Sequence, residues 1–233
     1  MAETGNPLSP PLVRGAIVQL LEDLGIVIPN IIPFQYNPAT VTRGLRPWNP
    51  FEVDQTNRGA QAPMVQPYDP EETYKFTLEF DATDDLESGD PIAIATGVAS
   101  RIAAVRKLTE PSEGLFGDLI ASAKALAGSG IEKQATRPSV PVALLVLGPG
   151  VILPVRVTSI SVEIKEFTPL LYPHMADVQM ELRVLTPEVF KCKQSPSISI
   201  AVAAYDLTKL QEDALAIANF ANALKAARAM LPF

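Results

Sequence analysis

Histidine and cysteine are almost absent from this chain: His174 and Cys192 are the only ones among its 233 residues. Metal sites built from several histidines are therefore excluded, and any serine or cysteine triad would depend on His174 alone. A lone cysteine cannot form an internal disulfide, which is typical of a reducing compartment, and we expect a cytoplasmic location. Because the sequence also lacks P-loop, GxGxxG and GxSxG motifs, we expect neither enzyme activity nor a cofactor.

Charge is also scarce, since only 19% of the residues are charged and the net charge is −7. No cluster of lysines and arginines appears, although a nucleic-acid-binding surface needs one to neutralise phosphates. Two uncharged stretches, 25–42 and 138–155, each contain several prolines, which excludes a continuous membrane helix. We therefore expect no nucleic-acid partner and no membrane span.

Apolar residues and prolines are abundant instead. Hydrophobic residues make up 47% of the chain, and the mean hydropathy is +0.17. Monomers rarely leave large apolar patches in water, so part of this surface is expected to contact other subunits. Eleven of the 22 prolines lie in the first seventy residues. This part of the chain therefore predicts extended segments and loops, with a long connecting loop over 43–70.

Alternating apolar and polar residues predict the strands. The clearest is 73–81, in which Tyr74, Phe76, Leu78 and Phe80 share one face. The other predicted strands are 12–21 and 26–35, with a turn at Glu22 and Asp23 between them, then 142–147, 151–165 and 177–185. Gly148 and Gly150 predict a tight hairpin with a positive φ at Gly150. In 151–165 the apolar phase shifts after Val157, which predicts a β-bulge.

Helices are predicted over 91–108, 115–126 and 196–231. In the first, one face carries Ile94, Val98, Ile102 and Val105. The acidic segment 81–90 leads into this helix, with Asp90 as its N-cap. A calcium loop would need glycine where Leu86 stands, so we expect no bound metal. The last helix carries an apolar stripe that packs either on its own domain or on a neighbouring subunit: Leu207, Leu210, Ala214, Ile217, Ala221 and Leu224.

The run from Ile32 to Arg43, IPFQYNPATVTR, resembles the FQYNP-x-T-x-x-R signature of the tube-like baseplate proteins of contractile injection systems, which are phage-tail-like devices. Segments similar to that family follow in the same order at 76–84, 152–159 and 182–186, and 12–16 precedes the motif. The tail 204–209 is similar to the C-terminal helix of members that lack an appended domain. Many relatives append a lysin-motif domain, whereas the residues after Leu185 here predict a helix.

The resemblance implies an α+β fold: a tube-protein-like antiparallel β-barrel or sandwich with a flanking helix and a long C-terminal helix. Residues 1–190 would form the barrel domain and 191–233 a helical extension. The implied function is a hexameric ring, a homo-oligomer that joins the spike protein to the inner tube proteins, contacts other baseplate subunits and initiates the tube. The alternative is a free-standing small-ligand-binding β-barrel.

The family motif and the apolar stripe supply the candidate interface residues. Phe34 and Tyr36 are either core residues of the barrel or part of that interface. The candidates are Phe34, Gln35, Tyr36, Asn37, Pro38, Arg43, Trp48, Leu207, Leu210, Ala214 and Ile217.

Overall fold

A computed structural model describes residues 13–23, 26–49, 66–111, 140–191 and 195–230. Its strands are β1 (Ala16–Asp23), β2 (Ile26–Pro33), β3 (Val41–Arg46), β4 (Glu71–Asp81), β5 (Val142–Val146), β6 (Ile152–Phe167) and β7 (Pro173–Val184). Its helices are α1 (Thr83–Glu87), α2 (Pro91–Thr96), α3 (Ala99–Lys107) and α4 (Pro196–Met230), with a 3-10 turn at Pro187–Phe190. The strands form one antiparallel sheet in the order β2-β1-β5-β6-β7-β4-β3, and the predicted α+β class is confirmed. The predicted helix 115–126 lies outside the described residues.

The pairing of β4 with β7 confirms the alternation in the sequence. Tyr74, Phe76, Leu78 and Phe80 on β4 are all buried, and so are Val178, Met180 and Leu182 on β7. Tyr74 pairs with Leu182 and Leu78 with Val178, so both strands direct their apolar faces to one side. Together these side chains form the centre of the main core.

The predicted bulge in β6 is also confirmed. Val157 pairs with Leu182 and Ser159 with Glu181, so Thr158 is the extra residue. The Thr158 hydroxyl donates to the Glu181 carbonyl at 3.0 Å, which fixes the bulge. Beyond it the inward-facing positions of β6 have moved by one residue.

The sheet is strongly curved. Phe34 directly follows β2, yet its ring centroid lies 5.6 Å from that of Phe76 on β4. In a flat sheet of this strand order, β2 and β4 would be about 24 Å apart. The sheet therefore curls until its two ends share one core, although β2 and β3 do not pair with each other in the described part of the chain.

The predicted helix 91–108 is wrong as a single element, because Gly97 divides it into α2 and α3. Gly97 has φ +55°, and a Cβ there would lie 2.1 Å from the Pro173 carbonyl oxygen. The N–H of Val98 donates to that same carbonyl at 2.9 Å. The break also rotates α2, so Ile94 is exposed while Val98 and Val105 are buried as predicted.

Three predictions near turns are wrong. Glu22 and Asp23 lie in β1, where Asp23 pairs with Ile26, rather than in a turn. The predicted loop 43–70 begins with residues of β3, which pairs with β4, while 50–65 lie outside the described residues. In the β5–β6 hairpin the positive φ belongs to Gly148, at +74°, and not to Gly150.

No helix in the described ranges is both long and apolar enough to cross a membrane.

Candidate functional site

The FQYNP motif forms a clasp between the end of β2 and two other parts of the fold. Phe34 is fully buried, and its N–H donates to the Gly15 carbonyl at 2.8 Å. This extends the β1–β2 pairing by one step and directs the ring into the main core. Of the two predicted roles for Phe34, the core role is confirmed.

Gln35 links the clasp to β4 and the helices. Its Nε2 donates to the Asp81 carbonyl at 2.7 Å, and its Oε1 accepts from the Asp81 N–H at 2.9 Å. The amide side chain thus replaces a strand partner for the last residue of β4. Arg101 of α3 donates to the same Oε1 and, through Nη2, to Asp85 at 2.6 Å. One glutamine therefore ties β2, β4 and α3 together.

The Asn37 side chain likewise hydrogen-bonds backbone groups, in the segment just before β1. Its Oδ1 accepts from the Gly15 N–H at 2.8 Å, and its Nδ2 donates to the Val13 carbonyl at 2.9 Å. Pro38, which is partly buried, follows and sets the path towards β3. Side-chain amides at positions 35 and 37 therefore satisfy backbone groups that no strand reaches.

Tyr36 differs from its neighbours because it points outward, with 44% of its surface exposed. Its predicted core role is therefore wrong: residues 35 and 37 are held by their side chains, which leaves the ring between them on the surface. Partial burial, followed by the negative charges of Asp84 and Asp81, raises the pKa of Tyr36. Among the five motif residues it is the aromatic side chain available to a partner.

The acids of 81–90 have structural partners. Asp90 caps α2 as predicted, since its carboxylate accepts from the Ile92 N–H at 2.8 Å. The Asp81 carboxylate accepts from the Thr83 hydroxyl at 2.6 Å, and this hydrogen bond lowers the pKa of Asp81. Within the described ranges no group of three or more potential metal ligands occurs.

A second cluster, which we call the ion cluster, joins α4 to β3 and β4. It lies near the start of β4, whereas the clasp lies at the end of that strand. Its members are Arg43, Glu72, Lys209 and Glu212. Arg43 contacts Glu72 at 2.5 Å and Glu212 at 2.5 Å, and Lys209 contacts Glu212 at 3.0 Å. Glu72 is only 3% exposed, so its charge requires these partners.

Two aromatic rings surround the ion cluster. The Arg43 guanidinium lies 5.9 Å from the centroid of Tyr74, and the Lys209 ammonium lies 5.5 Å from that of Tyr205. Burial, with the charge of Asp69 next in importance, raises the pKa of Tyr205 to about 12. For Glu212, burial acts to raise the pKa, but hydrogen bonds from Lys209 and Arg43 outweigh it and lower the pKa overall. The cluster therefore favours the ionised form of the Glu212 carboxylate and the neutral form of the Tyr205 phenol.

The first half of α4 packs on the sheet. Ala201 and Ala204 meet Leu20 and Leu144, and Tyr205 enters the main core. Thr208 accepts from the N–H of Ile152 at 3.0 Å and donates to its carbonyl at 2.8 Å. These contacts lie on the helix face opposite the predicted apolar stripe.

The stripe itself does not cover the sheet. Leu207, Leu210 and Ile217 are 46%, 67% and 75% exposed, and Ala214 is exposed as well. The side chains of Ala221 and Leu224 lie outside the described part. The helix thus packs on its own sheet through the opposite face, while nothing in the described ranges covers the stripe, and packing of the stripe on a neighbouring subunit stays a prediction.

The candidate residues thus fall into four separate places. Phe34 to Pro38 lie in the clasp, Arg43 lies in the ion cluster, and the stripe lies on the outer face of α4. Trp48 is partly buried beyond β3. The sequence analysis missed Glu72, although a carboxylate in the inward phase of β4 was the available signal for a buried ion pair.

The chain was compared with models of known families and with curated proteins, and neither comparison gave a match.

Proposed function

We propose that this chain is a structural ring subunit of the baseplate of a contractile injection system, placed between the spike and the inner tube. The resemblance of the FQYNP region to that family suggests the apparatus. The physical support comes from the sheet, which has edges and apolar surface that a second copy would cover.

The observation that carries the proposal is the free edge of β6. Its last pairing with β5 joins Val155 to Ala143, and the strand continues to Phe167 with only β7 beside it in the described residues. Val162 and Ile164 face the same side as the buried Val178 and Ala176, with which they pair, yet they are 40% and 38% exposed. A strand added to this edge would bury them and satisfy the free backbone groups.

The other edges of the sheet favour contacts of the kind that close a ring. β2 carries Pro29 and Pro33, which cannot donate to a further strand, so this edge is protected. β3 has no proline, and Val41 and Leu45 on it are exposed. A contact between two different edges, β3 of one copy and β6 of the next, is heterologous and generates a ring when the rotation closes.

The interior of the curled sheet argues against the ligand-binding alternative. Phe34, Phe80, Leu78, Leu153 and Leu182 are all buried to within 1% exposure. Large side chains from opposite ends of the sheet meet there, as Phe34 and Phe76 do. A barrel of about eight strands is just wide enough for side chains to fill.

The experiment is to measure the mass of the purified protein by native mass spectrometry and light scattering. We expect a closed oligomer, with six copies as the main species. The double variant Val162→Lys with Ile164→Lys places charges on the free edge and should leave monomers. Ser161→Lys with Glu163→Gln changes the net charge by the same amount on the opposite, exposed face and should keep the oligomer.

A wild-type protein that stays monomeric at all concentrations would contradict the proposal. If it also carries a bound small molecule, the ligand-binding barrel is the correct function. Equal dissociation of both double variants would show that charge, and not the β6 edge, controls assembly. Particles assembled normally without this protein would exclude the baseplate role.

A further inference from the structure

The outer face of α4 has the spacing of a helix-binding surface over a longer stretch than the sequence analysis predicted. Ile200 is 43% exposed and Ala203 is exposed, and both lie on the same face as Leu207. The stripe therefore begins at Ile200 and continues in steps of three and four residues to Ile217. Ala221 and Leu224 continue the spacing in the sequence, which brings it to more than three heptads.

A repeat of 3.5 residues is specific for one kind of neighbour. A surface strand or loop has no such period, whereas a second helix keeps contact with the stripe over its whole length. Alanines at 203 and 214 alternate with larger side chains and allow a close approach of the two backbones. The occupant is therefore an amphipathic helix.

Two carboxylates indicate the charge of that helix. Asp206 and Asp213 are exposed and lie one heptad apart along the side of the stripe. In the described part of the chain neither has an ion-pair partner, unlike Glu212 and Lys209 on the inner side. The opposite side of the stripe carries the uncharged Gln211 and Ala218. Acids on one side favour a partner with lysine or arginine there.

We propose that the outer face of α4, from Ile200 to Ile217, docks an amphipathic helix of another protein that carries basic residues beside its apolar stripe. A second copy of α4 fits less well, because its flanks offer carboxylates and no described base to Asp206 and Asp213. An anionic lipid surface would be repelled by the same carboxylates. This inference holds whether or not the chain forms a ring.

The test uses the full-length protein and a synthetic fluorescent helical peptide with leucine at positions a and d and lysine at e and g. Its control is the same peptide with glutamate at e and g. Fluorescence anisotropy should show the lysine peptide binding at least tenfold more tightly than the glutamate peptide. Leu210→Gln should weaken binding at least tenfold, because it removes a central apolar contact while keeping a good helix former.

Charge-matched variants separate the carboxylates of α4 from the overall negative charge. Asp206→Asn with Asp213→Asn should weaken binding of the lysine peptide about fivefold, with less weakening at high salt. Glu163→Gln with Glu166→Gln, exposed on β6, should change it less than about twofold.

Three outcomes would overturn the proposal. The first is equal weakening by the two charge-matched pairs, and the second is unchanged binding in Leu210→Gln. The third is a different occupant: wild-type self-association that Leu210→Gln abolishes would assign the stripe to a second copy. Sedimentation with phosphatidylglycerol vesicles that Leu210→Gln abolishes would assign it to a lipid surface.

Discussion

At the scale of single residues, two side-chain amides replace backbone partners. Gln35 pairs with both the N–H and the carbonyl of Asp81, and Asn37 pairs with Gly15 and Val13. Such contacts need a side chain that both donates and accepts at a fixed reach, which explains why these positions carry amides. Gln35 thereby joins the end of β2 to β4, and Asn37 fixes the segment just before β1, while the exposed Tyr36 is left for contacts outside the fold.

Replacing Gln35 by methionine should destabilise the protein by about 1–3 kcal/mol. The apolar side chain keeps the volume but leaves the Asp81 N–H and carbonyl without their partner. Urea unfolding followed by circular dichroism measures the change. Tyr36→Phe serves as the control and should change stability by less than about 0.5 kcal/mol, because that side chain is exposed. Equal effects of the two substitutions would contradict the clasp.

The Gln35 contact could not be predicted from the sequence. It joins residues 46 positions apart, and the sequence around either residue contains no signal that the two lie close together. The cap at Asp90 was predictable, because its partner lies two residues away. Local hydrogen bonds can therefore be predicted from the sequence, whereas the clasp depends on the curvature of the whole sheet.

Glu212 should make stability depend on pH in the acidic range. Its pKa is below the ordinary value of 4.5, so its contribution is fully present above that pH and is lost as the pH falls through the lower folded-state pKa. Glu212→Gln should cost about 1 kcal/mol at pH 7, and the difference from wild type should shrink as the pH falls below 4.5 and through the lower folded-state pKa. Thermal unfolding across this range is the measurement, with Asp213→Asn as the control. A difference that does not shrink at all as the pH falls would show that the carboxylate charge is not its source.

At the scale of elements, the hairpin between β5 and β6 offers a direct comparison of two glycines. Gly148 has φ +74°, whereas Gly150 has an ordinary φ, and a Cβ on it would meet only Gln211 Oε1 at 4.0 Å. Gly148→Val should lower the free energy of unfolding by about 1–3 kcal/mol, because a β-branched residue resists positive φ. Gly150→Val should cost less than about 0.5 kcal/mol. The reverse order in urea unfolding would contradict the turn geometry.

Element types were more predictable than their ends and breaks. The strand β4 and the β6 bulge could be predicted from the apolar alternation and its phase shift, because one face of each strand is buried. The break at Gly97 could not be predicted, because its cause is the Pro173 carbonyl in the β6–β7 hairpin, which is distant in the sequence. β3 was missed because Arg43, Gly44 and Arg46 give no alternation, and its position depends on pairing with β4.

α4 has an anchored part and a projecting part, and truncation should separate them. Residues 213–220 are all exposed, whereas Ser197, Ala201, Tyr205 and Thr208 are buried. Removing 213–233 should therefore shift the melting temperature by less than about 4 °C. Removing 197–233 takes Tyr205 out of the main core and Ser197 away from Glu22, and that chain should fail to fold. Thermal melting of both truncated chains, followed by circular dichroism, is the measurement. Similar melting of the two would contradict the claim that the first half of α4 anchors the helix to the sheet.

At the scale of the whole molecule, helices lie at both openings of the curled sheet, where the strands begin and end. α1 to α3 contact the end marked by Asp81 and Gln35, and the first half of α4 contacts the end marked by Glu72 and Ile152. In the described part of the chain, no further strand lies beside the free edge of β6 or beside β3. Lateral assembly through the edges and docking on the outer face of α4 can therefore occur together.

The strand order also has a consequence for the timing of folding. β1 sits between β2 and β5, and Ala16 pairs with Val146, about 130 residues later in the chain. At about 5–20 residues per second, the ribosome needs roughly 6–25 s to supply that partner. Until then the β1–β2 hairpin exists with one side unmatched and its apolar residues in water. The N-terminal hairpin is thus the earliest part of the sheet to be made and waits longer for its partner strand than the β3–β4 hairpin waits for β7, which gives chaperones a defined interval in which to act.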